Sequence, residues 1–287
     1  MSGFKGIKDL SRAGGALGLS APALLLLCLC FVLPIVNLLL VSLTAGRDAS
    51  FTFKHYSDFF GDGFSRGLLW TTLRVSLLTT VLSLVLAFPV ALYMRQVSPR
   101  ARAILAFLLL SPLLTSVVVR TLAWVFILGP RGVLNTLLNL VNLGPLQLLY
   151  NETGVVIGMT HVFFGYMVLS LMTSLLKLDD NLLLAARNLG ASKWHVLTRI
   201  VLPLSLPGVL AGSVLVFTMS ASTYATPAML GGTGAKLLSP EVYELAIHQI
   251  AWDEAATAAT VLFAMSALVV LGVSGWLASG RRRVIFE

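Results

Sequence analysis

Six stretches of this chain are each long and apolar enough to cross a membrane: roughly 21–43, 68–94, 103–128, 154–176, 201–225 and 256–279. A hydrocarbon core of about 30 Å takes about 20 apolar residues as a helix. No water meets the peptide groups there, so a spanning segment is either a helix or a strand of a closed barrel. These are long apolar runs, not alternating strands of about ten residues. The sequence therefore predicts an all-α integral membrane protein with six transmembrane helices. Composition agrees: 11% of residues are charged, against about 25% in soluble domains. Arg74 falls in the second stretch and Arg120 in the third, while Pro203 and Pro207 interrupt the fifth.

Lysine and arginine set the orientation, because cytoplasmic segments carry the excess. With the N-terminus inside, the inner segments hold Lys5, Lys8, Arg12, Arg95, Arg100, Arg102, Lys177, Arg187, Lys193, Arg199, Arg281, Arg282 and Arg283. The outer loops hold only Arg47, Lys54, Arg66, Arg131 and Lys236. Both termini are thus expected to be cytoplasmic. Much of the net charge of +8 is this topological signal. No basic stripe is interleaved with aromatics, so a nucleic-acid partner is not expected. The first apolar run is too long for a signal-peptide core and no A-x-A site follows, which makes it an uncleaved span. Cys28 and Cys30 lie within it, point to different faces of the helix and read as membrane-core residues, not as a metal or redox pair.

Several chemistries are excluded by spacing. Gly231 to Lys236, "GGTGAK", lacks the phosphate-loop pattern. His55, His161, His195 and His248 are scattered and form no metal set. No nucleophile and base stand together. All twelve acidic residues fall in loops or tails, where an ion-coupled carrier would place some within its spans. The chain has no energy source of its own, so a transporter reading requires a partner.

One polar segment stands out among the apolar ones: "LDDNLLLAARNLGASKWHVLTRIVLPLSLPG", Leu178 to Gly208. Asp179, Asp180 and Asn181 suit the start of a helix near Leu182. Leu182, Leu183, Ala186 and Leu189 recur at helical spacing and predict one apolar face. Gly190 suits a left-handed stop, Ser192 can cap the next helix, and Pro203 with Pro207 would bend the start of the fifth span. So short a helix needs a surface to lie on. That surface is either the membrane or a partner protein.

The spacing Ala185-Ala186, three residues, Gly190, nine residues, Ile200, one residue, Leu202-Pro203 resembles the EAA motif of permease subunits in binding-protein-dependent ABC importers. Leu184 stands where that motif opens with Glu. Ser111 to Asn135, the segment around Leu178 to Lys193 and Ala225 to Gly232 resemble the spermidine/putrescine-type permeases; together they cover most of the chain from about residue 65 onward. The resemblance implies a type I importer permease fold, with residues 1–287 as one transmembrane domain and 181–200 as its cytoplasmic coupling loop. Leu184, Ala185, Ala186, Arg187, Gly190, Ile200, Leu202 and Pro203 are then the ATPase-coupling residues. It further implies a second permease subunit, two ATP-binding subunits and an external, periplasmic binding protein, all at a bacterial inner membrane. ATP and Mg²⁺ would sit on the partner ATPase, with no cofactor on this chain and no enzyme activity of its own.

Arg120, Tyr224, Glu241 and Glu244 are the candidate pathway residues. Arg120 within a span is either a pathway or gate group, or one that snorkels or binds backbone carbonyls. Tyr224, Tyr243 and Trp252 are aromatic-belt residues or line an outer mouth. The fifth loop carries Glu241, Glu244, Asp253 and Glu254 against Lys236, which would attract a polyamine or meet the binding protein. A polyamine is the expected substrate; Arg120, and the lack of acids in the spans, weigh against it and make an anionic or zwitterionic solute, such as an opine or aminophosphonate, the alternative. An ion-coupled secondary carrier and a membrane scaffold are the other classes; neither accounts for the spacing around Gly190.

Overall fold

The computed structural model describes residues 22–45 and 50–278. Lys5, Lys8, Arg12, Arg47 and the Arg281, Arg282, Arg283 run lie outside the described residues, as do both termini. The described chain is helical apart from a two-residue antiparallel pair, β1 (Thr44–Ala45) and β2 (Ser50–Phe51). In chain order the helices are α1 (Pro22–Ser42), α2 (Lys54–Gly61), α3 (Gly63–Gln96), α4 (Pro99–Leu110), α5 (Val117–Leu128) and α6 (Val133–Leu140). Then come α7 (Glu152–Leu175), α8 (Asp180–Asn188), α9 (Lys193–Ser222), α10 (Ala225–Leu230), α11 (Leu238–Tyr243) and α12 (Trp252–Ala278). Six helical stretches are long and apolar enough to cross a membrane, the expected number, but the third is Val117–Leu140 where 103–128 is expected. Cys28 and Cys30 are exposed free thiols on α1.

The expected spans are short at their polar ends. The second runs 63–96, not 68–94, because the Asp62 carboxylate caps α3 by accepting from Ser65 N–H at 2.9 Å. The fourth starts at Glu152 under an Asn151 cap. The fifth starts at Lys193, well before residue 201, and the sixth at Trp252 instead of 256. Among the described spans, acids occur only in first turns: Glu152, Asp253 and Glu254. Arg74 pairs there with Glu152 at 3.4 Å.

The third stretch departs most. A continuous helix over 103–128 is expected; the structure breaks it between α4 and α5 with a 3-10 turn at Ser111–Leu114 and extended backbone at Thr115. Pro112 is the cause. It offers no N–H to Leu108, whose carbonyl takes the Ser111 hydroxyl instead at 2.8 Å.

Three helices, α3, α7 and α9, form the centre. The buried face of α3 is made of small residues three and four apart, including Thr72, Ser76, Thr79, Ser83, Ala87 and Ala91. Such residues let helix backbones approach closely, which is the main source of association where lipid is as apolar as the side chains. At α9, a Cβ on Gly208 would lie 2.9 Å from the Ser170 carbonyl and 2.8 Å from Ser174 Oγ of α7. The Ser170 hydroxyl donates to the Gly208 carbonyl across this seam at 3.2 Å. Gly158 faces Leu230 and Thr226 of α10. Gly208 and Gly158 therefore serve packing inside the bundle. At the periphery, α1 packs on α12 and is otherwise exposed, consistent with a lipid-facing helix.

Candidate docking loop and polar cavities

The polar segment after α7 folds into a capped helix with a defined stop. Asp179 Oδ1 accepts from Asn181 N–H at 2.8 Å and starts α8. At the far end Gly190 has φ +85°, a region that only glycine enters freely. Its N–H donates to the Arg187 carbonyl at 2.9 Å, and Ala191 N–H donates to the Ala186 carbonyl at 3.0 Å. These two bonds are the Schellman arrangement, which normally adds an apolar contact between the same two flanking positions. Those positions are Ala186 and Ala191, both packed against the main core. The interval from Ala186 to Gly190 is thus the geometry of a helix stop. Ser192 Oγ then accepts from His195 N–H at 3.2 Å and opens α9.

The expected apolar face of α8 is only half used. Leu183 and Ala186 pack inward, whereas Leu182 and Leu189 are exposed. They lie at the far edge of the stripe, and Leu189 sits at the cap, beyond the last helical residue. Leu184 and Trp194 are exposed as well, so the loop presents several apolar side chains away from the core; Leu189 is 89% and Trp194 72% exposed. Ala185 and Arg187 are also exposed. Ile200, Leu202 and Pro203 lie on α9, in or just after a π-helical turn at Leu197–Val201. Pro203 and Pro207 do not interrupt α9, which runs on as one helix to Ser222. The π turn changes the hydrogen-bond register where Pro203 supplies no N–H.

The four pathway candidates separate into three and one. Tyr224, Glu241 and Glu244 line a cavity of 140 Å³ at the other end of the bundle, with Lys236 and Tyr243. The Tyr224 and Tyr243 rings stand 4.5 Å apart, and Lys236 Nζ lies 3.8 Å from Glu241 Oε2. Glu241 also lines a neighbouring cavity of 330 Å³ that adds His55, Asp58, Asp62 and Glu254. Hydrogen bonds from the Ser65 backbone and side chain, and then from Phe64 N–H, hold the Asp62 carboxyl below the usual carboxylate range. The glycines of Gly231–Lys236 serve close packing: a Cβ on Gly234 would lie 2.2 Å from the Tyr150 carbonyl.

Arg120 lies elsewhere, on α5. Its Nη1 donates to the Pro112 carbonyl, which also accepts the Thr115 hydroxyl at 2.7 Å. One turn on, Trp124 Nε1 donates to His161 Nδ1 of α7 at 3.2 Å. Sequence reasoning missed this pair; a lone histidine in an apolar run was the available signal. It also missed Arg95, counted there only as a topological charge.

A family model described as the binding-protein-dependent transport system inner membrane component matches residues 76–283. The spermidine/putrescine transport system permease protein PotB of Haemophilus influenzae is 33% identical over 221 residues, covering 73% of this chain and 76% of its own. PotB of Escherichia coli is 30% identical over 207 residues, covering 71% and 75%. The molybdenum transport system permease protein ModB of Mycobacterium bovis is 29% identical over 210 residues, covering 73% and 78%. Among solved structures, a bacterial ABC transporter involved in the import of the acidic polysaccharide alginate superposes with a TM-score of 0.75 at 18% identity, covering 95% of this chain and 98% of that chain. A structure of the alginate transporter with its alginate-bound periplasmic protein gives 0.72 at 18% identity, over 93% and 94%.

Proposed function

The chain belongs to the binding-protein-dependent transport system inner membrane components, and on that premise we propose that it passes a polyamine of the spermidine/putrescine class across a bacterial inner membrane. It is a multi-pass permease subunit of an ABC importer, a transport component and not an enzyme. Its fold is that of ABC importer permeases.

The observation that carries the mechanism is α8. A nine-residue helix is marginal alone, yet this one is capped at both ends and leaves Leu182, Leu184 and Leu189 exposed, with Trp194 at the start of α9. We assign these side chains, with Ala185, Arg187 and Gly190, to the groove of a cytoplasmic ATP-binding subunit. Ala186 holds the helix to the bundle, and Ile200, Leu202 and Pro203 carry its movement into α9. The α8 end, with Arg95, Arg100, Arg102, Lys177 and Lys193, is then cytoplasmic, and so are both termini. ATP and Mg²⁺ are held by the partner. The complete machine has a second permease subunit, two ATP-binding subunits and an external binding protein.

Support for a polyamine comes from the PotB relatives and from the opposite end, where Glu241 and Glu244 stand beside Tyr224 and Tyr243. Carboxylates and aromatic faces both attract protonated amines. A second reading, an anionic or zwitterionic solute, is favoured by Arg120 and by the Trp124–His161 pair on α5 and α7.

The test is uptake into proteoliposomes holding the permease with its co-purified partners. Radiolabelled spermidine should enter only with ATP inside and binding protein outside. Uptake of an acidic solute, with spermidine excluded, selects the second reading. Uptake independent of the ATPase refutes the coupling scheme.

A further inference from the structure

The inner end of α3 is fastened to the start of α8 by one side chain. Arg95, in the last turn of α3, is largely buried, with 15% of its side chain exposed. Its Nε donates to the carbonyl of Leu175, the last residue of α7, at 2.9 Å. Nη2 donates to the Leu178 carbonyl at 3.0 Å and to Oδ1 of Asp180, the first residue of α8. One guanidinium therefore bridges three elements across 80 to 85 residues of sequence. The planar fork suits this, since it directs several donors in fixed directions where a lysine ammonium has one point charge. Both acceptor groups gain from a cation: the carbonyls at the end of α7 carry partial negative charge, and Asp180 is fully charged.

Arg102 secures the same place from the other side. Its Nε donates to the Met94 carbonyl at 2.9 Å, and its Nη2 to the Arg95 and Val97 carbonyls at 3.0 and 3.3 Å. The backbone that carries Arg95 is thereby fixed. At the opposite end, Arg74 of α3 pairs with Glu152 of α7. The two spans are tied at both ends and packed along their length.

We propose that Arg95 is the positioning residue that delivers displacement of α8 to the α3–α7 pair. Without it, α8 reaches the bundle through the Leu183 and Ala186 contacts and through its two flanking turns, and α3 has no bond to α8. The inference rests on the reading of α8 as the ATPase-docking helix and adds the route that its motion takes.

The test uses the whole complex in proteoliposomes and reads solute imported per ATP hydrolysed. Arg95→Ala should lower that ratio about tenfold, the change expected when charge-assisted hydrogen bonds of this kind are removed. ATP hydrolysis should remain stimulated by the binding protein. Arg95→Lys should be intermediate, since it keeps the charge and loses the fork. Asp180→Asn, which leaves the two carbonyl bonds in place, should lower the ratio less than Arg95→Ala and keeps the test open if that variant fails to assemble. An unchanged ratio for Arg95→Lys and Asp180→Asn in assembled complexes overturns the proposal. So does a parallel fall of transport and ATP hydrolysis, the mark of a merely structural staple. If instead the wild-type complex imports without ATP, the reading of α8 fails and not the Arg95 route alone.

Discussion

Gly190 gives the sharpest test of the docking loop, because its demands are conformational and not steric. Its φ is +85°, and a Cβ there would meet nothing within 4 Å. Gly190→Ala therefore adds only the left-handed penalty, roughly 1–2 kcal/mol for an L-residue. Asparagine visits that region more readily, so Gly190→Asn should cost less than Ala. Gly190→Pro forces φ near −65° and deletes the N–H that bonds Arg187, and prolines that break helix hydrogen bonds cost about 3 kcal/mol or more. A cost of 1–2 kcal/mol is a factor of about 5–30 in an equilibrium. The ATP-binding subunit should accordingly dock in the order Gly, Asn, Ala, Pro, with Ala weakened about 5–30-fold if the stop must form before docking. The assay is ATP hydrolysis by the ATP-binding subunit titrated with permease in nanodiscs, read as the half-maximal concentration. Asparagine binding more weakly than alanine would refute the left-handed argument. Proline docking and transporting like the wild type would refute the role of the turn.

Three further outcomes follow from local geometry. Gly208→Val places branched carbon against the Ser170 carbonyl, which cannot rotate away, and should destabilise the α7–α9 seam by about 1–3 kcal/mol; Gly67→Ala, with open space around it in α3, should be neutral or stabilising by about 0.5–1 kcal/mol, and thermal unfolding in detergent distinguishes the two. The Asp62 carboxyl titrates lower in the folded chain than in the unfolded one, so its capping contribution is complete above the unfolded pKa and disappears as pH falls through the folded value. The gap in melting temperature between wild type and Asp62→Ala should narrow on acidification, and a gap constant with pH would rule out the charged cap.

The number of spans and the end of α8 were legible because each has a local cause. Twenty apolar residues in a row make a span, and a glycine placed four residues after an alanine makes a stop. Asp179 and Ser192 cap the helices that the sequence assigned to them. What escaped has a non-local cause. The break at Pro112 hides inside an apolar run, since hydropathy measures solubility and not hydrogen-bond continuity. The inward placement of Leu183 but not Leu182 depends on where α8 meets the bundle, which periodicity alone does not fix. Arg95 read as one more topological cation because its partners, Leu175, Leu178 and Asp180, lie far along the chain. Likewise Tyr224, Glu241 and Glu244 assemble through the return of α11 toward the end of α9, a matter of tertiary packing.

The interruption between α4 and α5 also explains why this bundle tolerates an arginine without a matching acid. Each half-helix is a dipole, with about half a negative unit at its carbonyl end and half a positive unit at its amide end. At the Pro112 break the carbonyl end of one half meets the amide end of the next, inside an apolar stretch. The Arg120 guanidinium is drawn to the carbonyl end of that junction, where Pro112 receives it. Peptide polarity thus supplies the counter-charge that a buried carboxylate would otherwise provide. The described spans can keep their acids in first turns and still hold a cation beside the Pro112 break.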